Sequence, residues 1–575
     1  MWGGALLLIL VFFVINALVG IYHWLPARDL PALLVPLPEA AFAAAVVIAV
    51  ATIARRSLLP ASVVVGFLLA LVFSFAVGEA FFQFVYREHF SMWRDARFLP
   101  SFLEMVTGSP VAGEPGVVVA LVAVLLGLLT AVFSALVHGL GRLALRPGRP
   151  VAVAIACVLI AAGALTHSRV LTADPAGVMM IRQLGERGSR YVEETEDEAA
   201  EDEAEEGQEP DARSDGPEPE DASSDYAFPA LQDENVEIFI IESYGHTLFT
   251  RNDHYELIAD VYDRLGSQLE EAGFRSYSHF MKSPAFGGRS WLADATILSG
   301  TWIGDQTAYD EMWESDTTTL VRRMKEAGYY SVLAAPGMTY LEDGFVDFFP
   351  YDDVYLQGEF GYEGKHYSFG GGLTDQFMLN RVRQWREDGE VGNDTDPFFG
   401  VYVMVSSHVP FNVLPPLIDD WERIGDGEIY HDLARRVFDN DWLRGGEYPE
   451  GYTASIEYSL SSVVDYLTTF VDDETLAIII GDHQPRIPIA EQSSTFSVPV
   501  HMVSKNDSLV KRFEAFGFEE GFEPSQPTPH PTMDELATMF MEAAGGELSS
   551  PARSSSQREM TQGFEVQQRS STTQR

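Results

Sequence analysis

The sequence predicts a two-part protein: a bundle of five membrane-spanning helices, then a globular α/β domain with a mostly parallel central sheet. Three observations predict it. Five long apolar stretches fill the first third, a dense acidic run follows, and beyond it short β-branched or aromatic runs alternate with helical patterns. The expected divisions are a transmembrane domain over 1–170, a juxtamembrane segment and acidic disordered linker over 171–227, a globular domain over 228–545 and a disordered tail over 546–575.

The apolar stretches run from about Gly3 to Leu25, Ala32 to Ala54, Leu58 to Tyr86, Gly116 to Gly141 and Val151 to Thr166. A helix needs about 20 apolar residues to cross the hydrocarbon core. The first stretch lacks the basic flank of a signal peptide and further spans follow it, so it reads as a retained anchor. Glu79 lies near the end of the third span, where an acid is expected to reach interfacial water rather than to act inside the membrane.

Loop charges orient the bundle. Arg55 and Arg56 lie between spans two and three, and Arg142, Arg146 and Arg149 between four and five, with no acid in either loop. The alternate loops mix Arg28 with Asp29, and Arg87, Arg94 and Arg97 with four acids. Purely basic loops face the cytoplasm, which puts the N-terminus inside and everything after Thr166 outside the plasma (inner) membrane.

Net charge is −46, split very unevenly: residues 1–191 carry +4, residues 192–225 carry −16 and the remainder −34. The acidic run self-repels and has almost no apolar bulk, so it cannot repay its ordering entropy and reads as a solvated tether. The acidic remainder repels polyphosphate backbones, which argues against nucleic acid as a partner. One cysteine, Cys157, excludes an intrachain disulfide or a Cys-cluster metal site.

In the globular part, strands are expected at Val236 to Ile241, Tyr329 to Ala334, Phe398 to Val405, Leu476 to Ile480 and Val498 to Val503. Helices are expected at Tyr255 to Ala272, Thr318 to Ala327, Thr374 to Trp385, Thr453 to Val471 and Met533 to Ala544. In open α/β sheets ligands gather beyond the carboxyl ends of the strands. Three strands end in groups suited to chemistry: Glu242 after VEIFII, Ser407 and His408 after FFGVYVMV, and Asp482 and His483 after TLAIIIG. Singly each reads as a cap, a core histidine or a turn residue. Jointly, at one sheet edge, they read as a mixed oxygen and nitrogen metal site. In SPAFGGRSWLADATILSG, Gly287 and Gly288 permit a sharp turn, and a helix from Ser290 to Leu298 sets Ser290 at its N-terminus. Ser290 is either a plain N-cap or a nucleophile activated by the adjacent cation site.

The set Glu242 in IIESYG, Ser290 after a glycine turn, His408 in SSHVPF and Asp482–His483 in GDHQP resembles the lipoteichoic acid synthase and phosphoglycerol transferase branch of the alkaline phosphatase and sulfatase superfamily. Five spans followed by an outward catalytic domain match that branch as well. The resemblance implies a sulfatase-like domain over 228–545 in which Glu242, Ser290, Asp482 and His483 bind one divalent cation, manganese first, with magnesium or zinc as alternatives. It further implies that Ser290 is the nucleophile and that His408 contacts the phosphoglycerol group. Lipoteichoic acid synthases use threonine where this chain has Ser290. The segment Gly361 to Phe377 lies where that family binds substrate, which leaves Lys365, His366 and Arg289 as unassigned candidates.

The implied activity is transfer of a phosphoglycerol-type group from a lipid donor such as phosphatidylglycerol to a glycan or polyol-phosphate acceptor, through a Ser-linked intermediate. A phosphatase, phosphodiesterase or sulfatase-like hydrolase using the same site is the first alternative, and a non-catalytic membrane sensor or scaffold the second. An ordinary sulfatase is disfavoured because the C/S-x-P-x-R motif is absent: Ser283–Pro284 has the wrong spacing and no following Arg. Lipid A phosphoethanolamine transferases typically carry several disulfides, which one cysteine cannot supply.

Overall fold

The computed structural model describes residues 59–87, 89–95, 115–144 and 179–183 and, with short internal gaps, 228–545, along with isolated residues elsewhere in the first third. Two of its helices, α1 (Leu59–Val85) and α2 (Pro115–Ala144), are long and apolar enough to cross a membrane. Their apolar segments are 27 residues long each, and at 1.5 Å per residue each reaches about 40 Å. These are the expected third and fourth spans. The first, second and fifth lie largely outside the described residues, as do the acidic linker and the tail. Ile15 of the first and Ala40, Ala41, Ala44 and Ala45 of the second are described. They are buried in one apolar cluster with Leu69 and Ala70 of α1 and Phe133, Val137 and Leu140 of α2.

Glu79 does not reach water. Its carboxylate is fully buried and accepts from Gln83 Nε2 (2.6 Å), His89 Nδ1 (2.6 Å) and the Phe90 amide (2.8 Å). The chain leaves α1 and folds back at this point, so donors that would otherwise be stranded at the end of an apolar helix find their acceptor in Glu79.

Among the described residues, eight strands build the central sheet: β1 (Asn235–Ile241), β2 (Arg275–Lys282), β3 (Tyr330–Ala335), β4 (Asp353–Leu356), β5 (Phe398–Met404), β6 (Thr475–Gly481), β7 (Ser497–Ser504) and β8 (Glu519–Glu520). Their order is β8-β2-β7-β6-β1-β5-β3-β4. The run from β6 through β1, β5 and β3 to β4 is parallel, while β7, β2 and β8 join antiparallel at the other edge. All five expected strands are present. β2 escaped the sequence reading because RSYSHFMK has no apolar run; its serines and histidine are nonetheless buried in the sheet.

The parallel strands are apolar throughout because both faces are covered. In β1, Val236, Ile238 and Ile240 face one core, and Phe239 and Ile241 the other. The first core is closed by α4 (Ser290–Ser299), α5 (Leu320–Glu326) and α8 (Glu535–Ala543). The second is closed by α3 (Asn252–Glu271), α6 (Asp375–Glu387) and α7 (Pro449–Phe470). Because β1, β5 and β6 run in parallel as neighbours, the residues following them emerge at one edge, which is what brings the site together.

Candidate metal and nucleophile site

Glu242 follows β1 directly, and Asp482 follows β6. The chain can pass here only because residue 481 is glycine: a Cβ on it would lie 2.0 Å from the Tyr244 carbonyl oxygen. Asp482 Oδ1 accepts from the Ser243 amide (2.7 Å) and from the His483 amide, so one carboxylate ties the two strand ends together. Ser243 Oγ donates to Glu242 Oε1 (2.7 Å), and Ser407, after β5, donates to the Glu242 carbonyl (2.6 Å).

The segment before Ser290 is strapped alongside the β6 end. Ser283 Oγ donates to the Asp482 carbonyl, and the Gly287 amide to the Gln484 carbonyl (2.9 Å). Arg289 then takes a left-handed conformation (φ +65°) as the N-cap of α4 and contributes no side-chain cap bond. Ser290 is therefore not the N-cap. Its hydroxyl donates to Glu242 Oε2 (3.0 Å) and lies 3.2 Å from His483 Nε2. Among the described non-glycine residues, positive φ occurs at Arg87, Ser243, Arg289 and Phe411. Ser243 and Arg289 each adjoin a site residue, and left-handed backbone costs about 1–2 kcal/mol per residue, strain of the kind that collects at functional sites.

His483 Nδ1 bonds the Gln484 carbonyl (2.8 Å), which assigns the proton to Nδ1 and points the Nε2 lone pair at the cluster. Nε2 lies 3.3 Å from Asp482 Oδ2 and 3.6 Å from Glu242 Oε1. Glu242, Asp482 and His483 each offer a ligand atom within 4.8 Å of the others. The two carboxyls are buried together and do not both ionise readily. Burial opposes ionisation of Glu242, but His408, His483 and two hydroxyls outweigh it and hold this carboxyl below its usual range. Burial, and then the Glu242 charge, pushes Asp482 well above its own. Two crowded carboxylates, an imidazole and a hydroxyl form a mixed donor set that one divalent cation would relieve of its repulsion.

All four expected ligands, Glu242, Ser290, Asp482 and His483, thus converge. His408 is close enough to act on the Glu242 charge, and its Nδ1 bonds the Val409 carbonyl (2.7 Å). Its loop is pinned from below by buried Asp375, which accepts from the Val405 and Ser406 amides (2.8 and 2.9 Å) and from Ser459 (2.6 Å). Of the unassigned candidates, His366 is exposed against Tyr362, Lys365 gives its carbonyl to the Tyr362 hydroxyl, and Arg289 pairs with Asp95.

The sequence reading missed Asp294. One turn after Ser290 on α4, its carboxyl is pushed well up by burial and by the charges of Asp482 and Glu242, and its Oδ1 is buried without a hydrogen-bond partner. The signal was the i, i+4 spacing from Ser290, which puts both on one helix face.

The chain matches no family model and no curated protein. Among solved structures it is similar to the lipoteichoic acid synthase LtaP from Listeria monocytogenes, at 14% identity over 56% of this chain and 74% of that one, TM-score 0.37. It is also similar to the Streptococcus pyogenes phosphoglycerol transferase GacH, solved with sn-glycerol-1-phosphate (10% identity, 56% and 82% covered, TM-score 0.34). A third is the C-terminal periplasmic domain of EcEptC from Escherichia coli (13% identity, 56% and 85% covered, TM-score 0.36).

Proposed function

We propose that this protein is a membrane-anchored, metal-dependent transferase that moves a phosphoglycerol-type group from a lipid donor to an extracytoplasmic acceptor through a Ser290-linked intermediate. The observation that carries this reading is the Ser290 hydroxyl at the N-terminus of α4, within hydrogen-bonding reach of both Glu242 and His483. A cation held by Glu242, Asp482, His483 and Ser290 would lower the serine pKa and polarise the phosphodiester; manganese is the first choice, with magnesium or zinc as alternatives.

The remaining steps belong to the chain. The Ser290 proton has an acceptor in Glu242 Oε2, 3.0 Å away. The amides of the first turn of α4 offer donors to phosphate oxygens. Oγ bonds to phosphorus while the bond to the lipid alcohol breaks, and the departing oxygen takes up a proton. His408 contacts the retained phosphoglycerol group, and an acceptor hydroxyl on a glycan or polyol phosphate then displaces Ser290.

Five spans, a cytoplasmic N-terminus and an outward catalytic domain at the plasma membrane complete the proposal. They are supported by the two apolar helices, by buried contributions from two further stretches and by the basic loops. A headgroup-bearing lipid donor suits an enzyme held at the bilayer.

The test is full-length protein in detergent with Mn2+, labelled phosphatidylglycerol and a glycan acceptor. Transfer that depends on acceptor, is removed by EDTA and falls at least about 1,000-fold in Ser290→Ala is expected. Glycerol phosphate released regardless of acceptor would make it a hydrolase. Turnover or metal content unchanged in Ser290→Ala and Asp482→Ala would leave only the sensor or scaffold reading.

A further inference from the structure

The residues just before Ser290 are pressed against the C-terminal end of α1 and the loop beyond it. A Cβ at Gly287 would lie 2.5 Å from the Val85 carbonyl oxygen, and one at Gly288 would lie 2.8 Å from the Tyr86 ring. The Arg87 guanidinium sits 5.1 Å from the Phe286 ring and 5.4 Å from Phe496, and donates to the Ser494 carbonyl. In the opposite direction, the Arg289 guanidinium sits 5.3 Å from the Phe82 ring and 5.4 Å from Tyr86. Arg289 Nη2 donates to Asp95 Oδ1 at 3.1 Å, with both side chains buried, 5% and 0% exposed.

Asp95 is itself held. Its Oδ2 accepts from the Ser91 amide (2.7 Å), closing the single turn Met92–Asp95. That turn is fastened to α1 by Glu79 through Phe90, and to residue 183 by the Met92 amide on Gln183 Oε1 (2.9 Å) and Gln183 Nε2 on the Phe90 carbonyl (2.7 Å). An unbroken chain of contacts therefore runs from the membrane helix to the left-handed residue whose carbonyl begins α4. A left-handed arginine is a strained arrangement that persists only where its surroundings hold it.

Resting on the function proposed above, we propose that Asp95, from the membrane half of the chain, is a positioning residue for Ser290. By clamping the Arg289 side chain it holds the backbone turn that aims the serine oxygen at Glu242 and His483. The membrane part would then do more than anchor: it would complete the geometry of the nucleophile.

The test uses full-length protein in detergent with Mn2+ and bis(p-nitrophenyl) phosphate, a soluble diester that needs no lipid recognition. The variants are Asp95→Asn, Asp95→Glu, Arg289→Gln, the Asp95→Asn/Arg289→Gln double, and Ser290→Ala as control. Displacing a reacting oxygen by about 1 Å costs up to about 100-fold. Asp95→Asn and Arg289→Gln should each lower kcat roughly 10- to 100-fold with KM within about twofold. The double should be no worse than the poorer single, and Asp95→Glu should recover most of kcat. If Asp95→Asn does not unfold cooperatively, Arg289→Gln against Asp95→Glu carries the comparison. A kcat within about twofold of wild type in Asp95→Asn or, where that variant does not fold, in Arg289→Gln, while Ser290→Ala is dead, overturns the proposal. So do multiplicative losses in the double, or an effect confined to KM, which would make Arg289 a substrate contact. Undiminished turnover in Ser290→Ala is a different failure: it removes the reading of the site, and this proposal with it.

Discussion

At the scale of single residues, the site sets chemistry against stability. Asp482 is buried beside Glu242, and its carboxyl stays protonated to a higher pH than it would in the unfolded chain. Between those two values the folded state binds more protons than the unfolded one, so in metal-free protein this group lowers stability as pH rises above the ordinary aspartate range. Asp482→Asn keeps the acceptor for the Ser243 and His483 amides and removes the charge. After EDTA treatment it is expected to melt roughly 3–6 °C above wild type at pH 7.5, while Mn2+ should raise Tm in wild type and leave the variant unmoved. Paired melting curves with and without Mn2+ check this; a variant less stable than metal-free wild type contradicts it. The four side chains that converge at the site, Glu242, Ser290, Asp482 and His483, were legible in the sequence because each follows an apolar strand or a glycine turn. Asp294 was not, because an acid within a helix reads as a solvent-facing residue until the fold shows which side is covered.

Among elements, β2 and β7 show how polar residues enter a sheet unseen. His501 on β7 is fully buried. Its Nδ1 pairs with Ser278 Oγ on β2 (2.8 Å) and its Nε2 with the Tyr244 hydroxyl (2.9 Å), two residues past Glu242. Burial pushes the imidazole down to about 3, whereas the unfolded one titrates near 6.5. Between these values the unfolded chain binds the extra proton, so stability falls as pH drops below about 6.5, by at most about 1.4 kcal/mol per pH unit from this group. Urea midpoints between pH 7 and 4.5 should show that slope, and His501→Gln should flatten it; an unchanged slope would place the acid sensitivity elsewhere. The turn after β6 has a different vulnerability. Gly481→Ala forces a methyl group into the Tyr244 carbonyl, with an expected cost of about 3 kcal/mol or more and a weakened Mn2+ site, since Asp482 is the next residue. Mn2+ titration of whatever folded fraction survives measures the second effect, and wild-type affinity there would mean that the turn does not position Asp482. Strands were legible where both faces are apolar, as in TLAIIIG, and illegible in RSYSHFMK, where the buried Ser278 hydroxyl finds its partners in His501 of β7 and the Gly521 carbonyl, residues far away in the chain.

For the molecule as a whole, the expected layout puts the acidic run of 192–225 outside the membrane. Cys157 is the sole cysteine, so a Cys157→Ser variant carrying Ala212→Cys gives one addressable thiol. A membrane-impermeant maleimide applied to intact cells is expected to label it fully, and Arg55→Cys in the same background only after permeabilisation. The reverse pattern would invert the topology. The sequence alone determined the bipartite plan, the length of the two apolar helices, the strand and helix alternation and the four groups that meet at the site. These depend on local composition and on chain order, which a single strand of text records. Only the tertiary structure decided that Glu79 is buried as a fastening point, that the Asp294 carboxyl is buried within reach of the Asp482 and Glu242 charges, and that Asp95 grips the residue before the nucleophile. Each of these depends on contacts between segments far apart in the chain, and the energy of a buried charge is set by what surrounds it in space rather than by its neighbours in sequence.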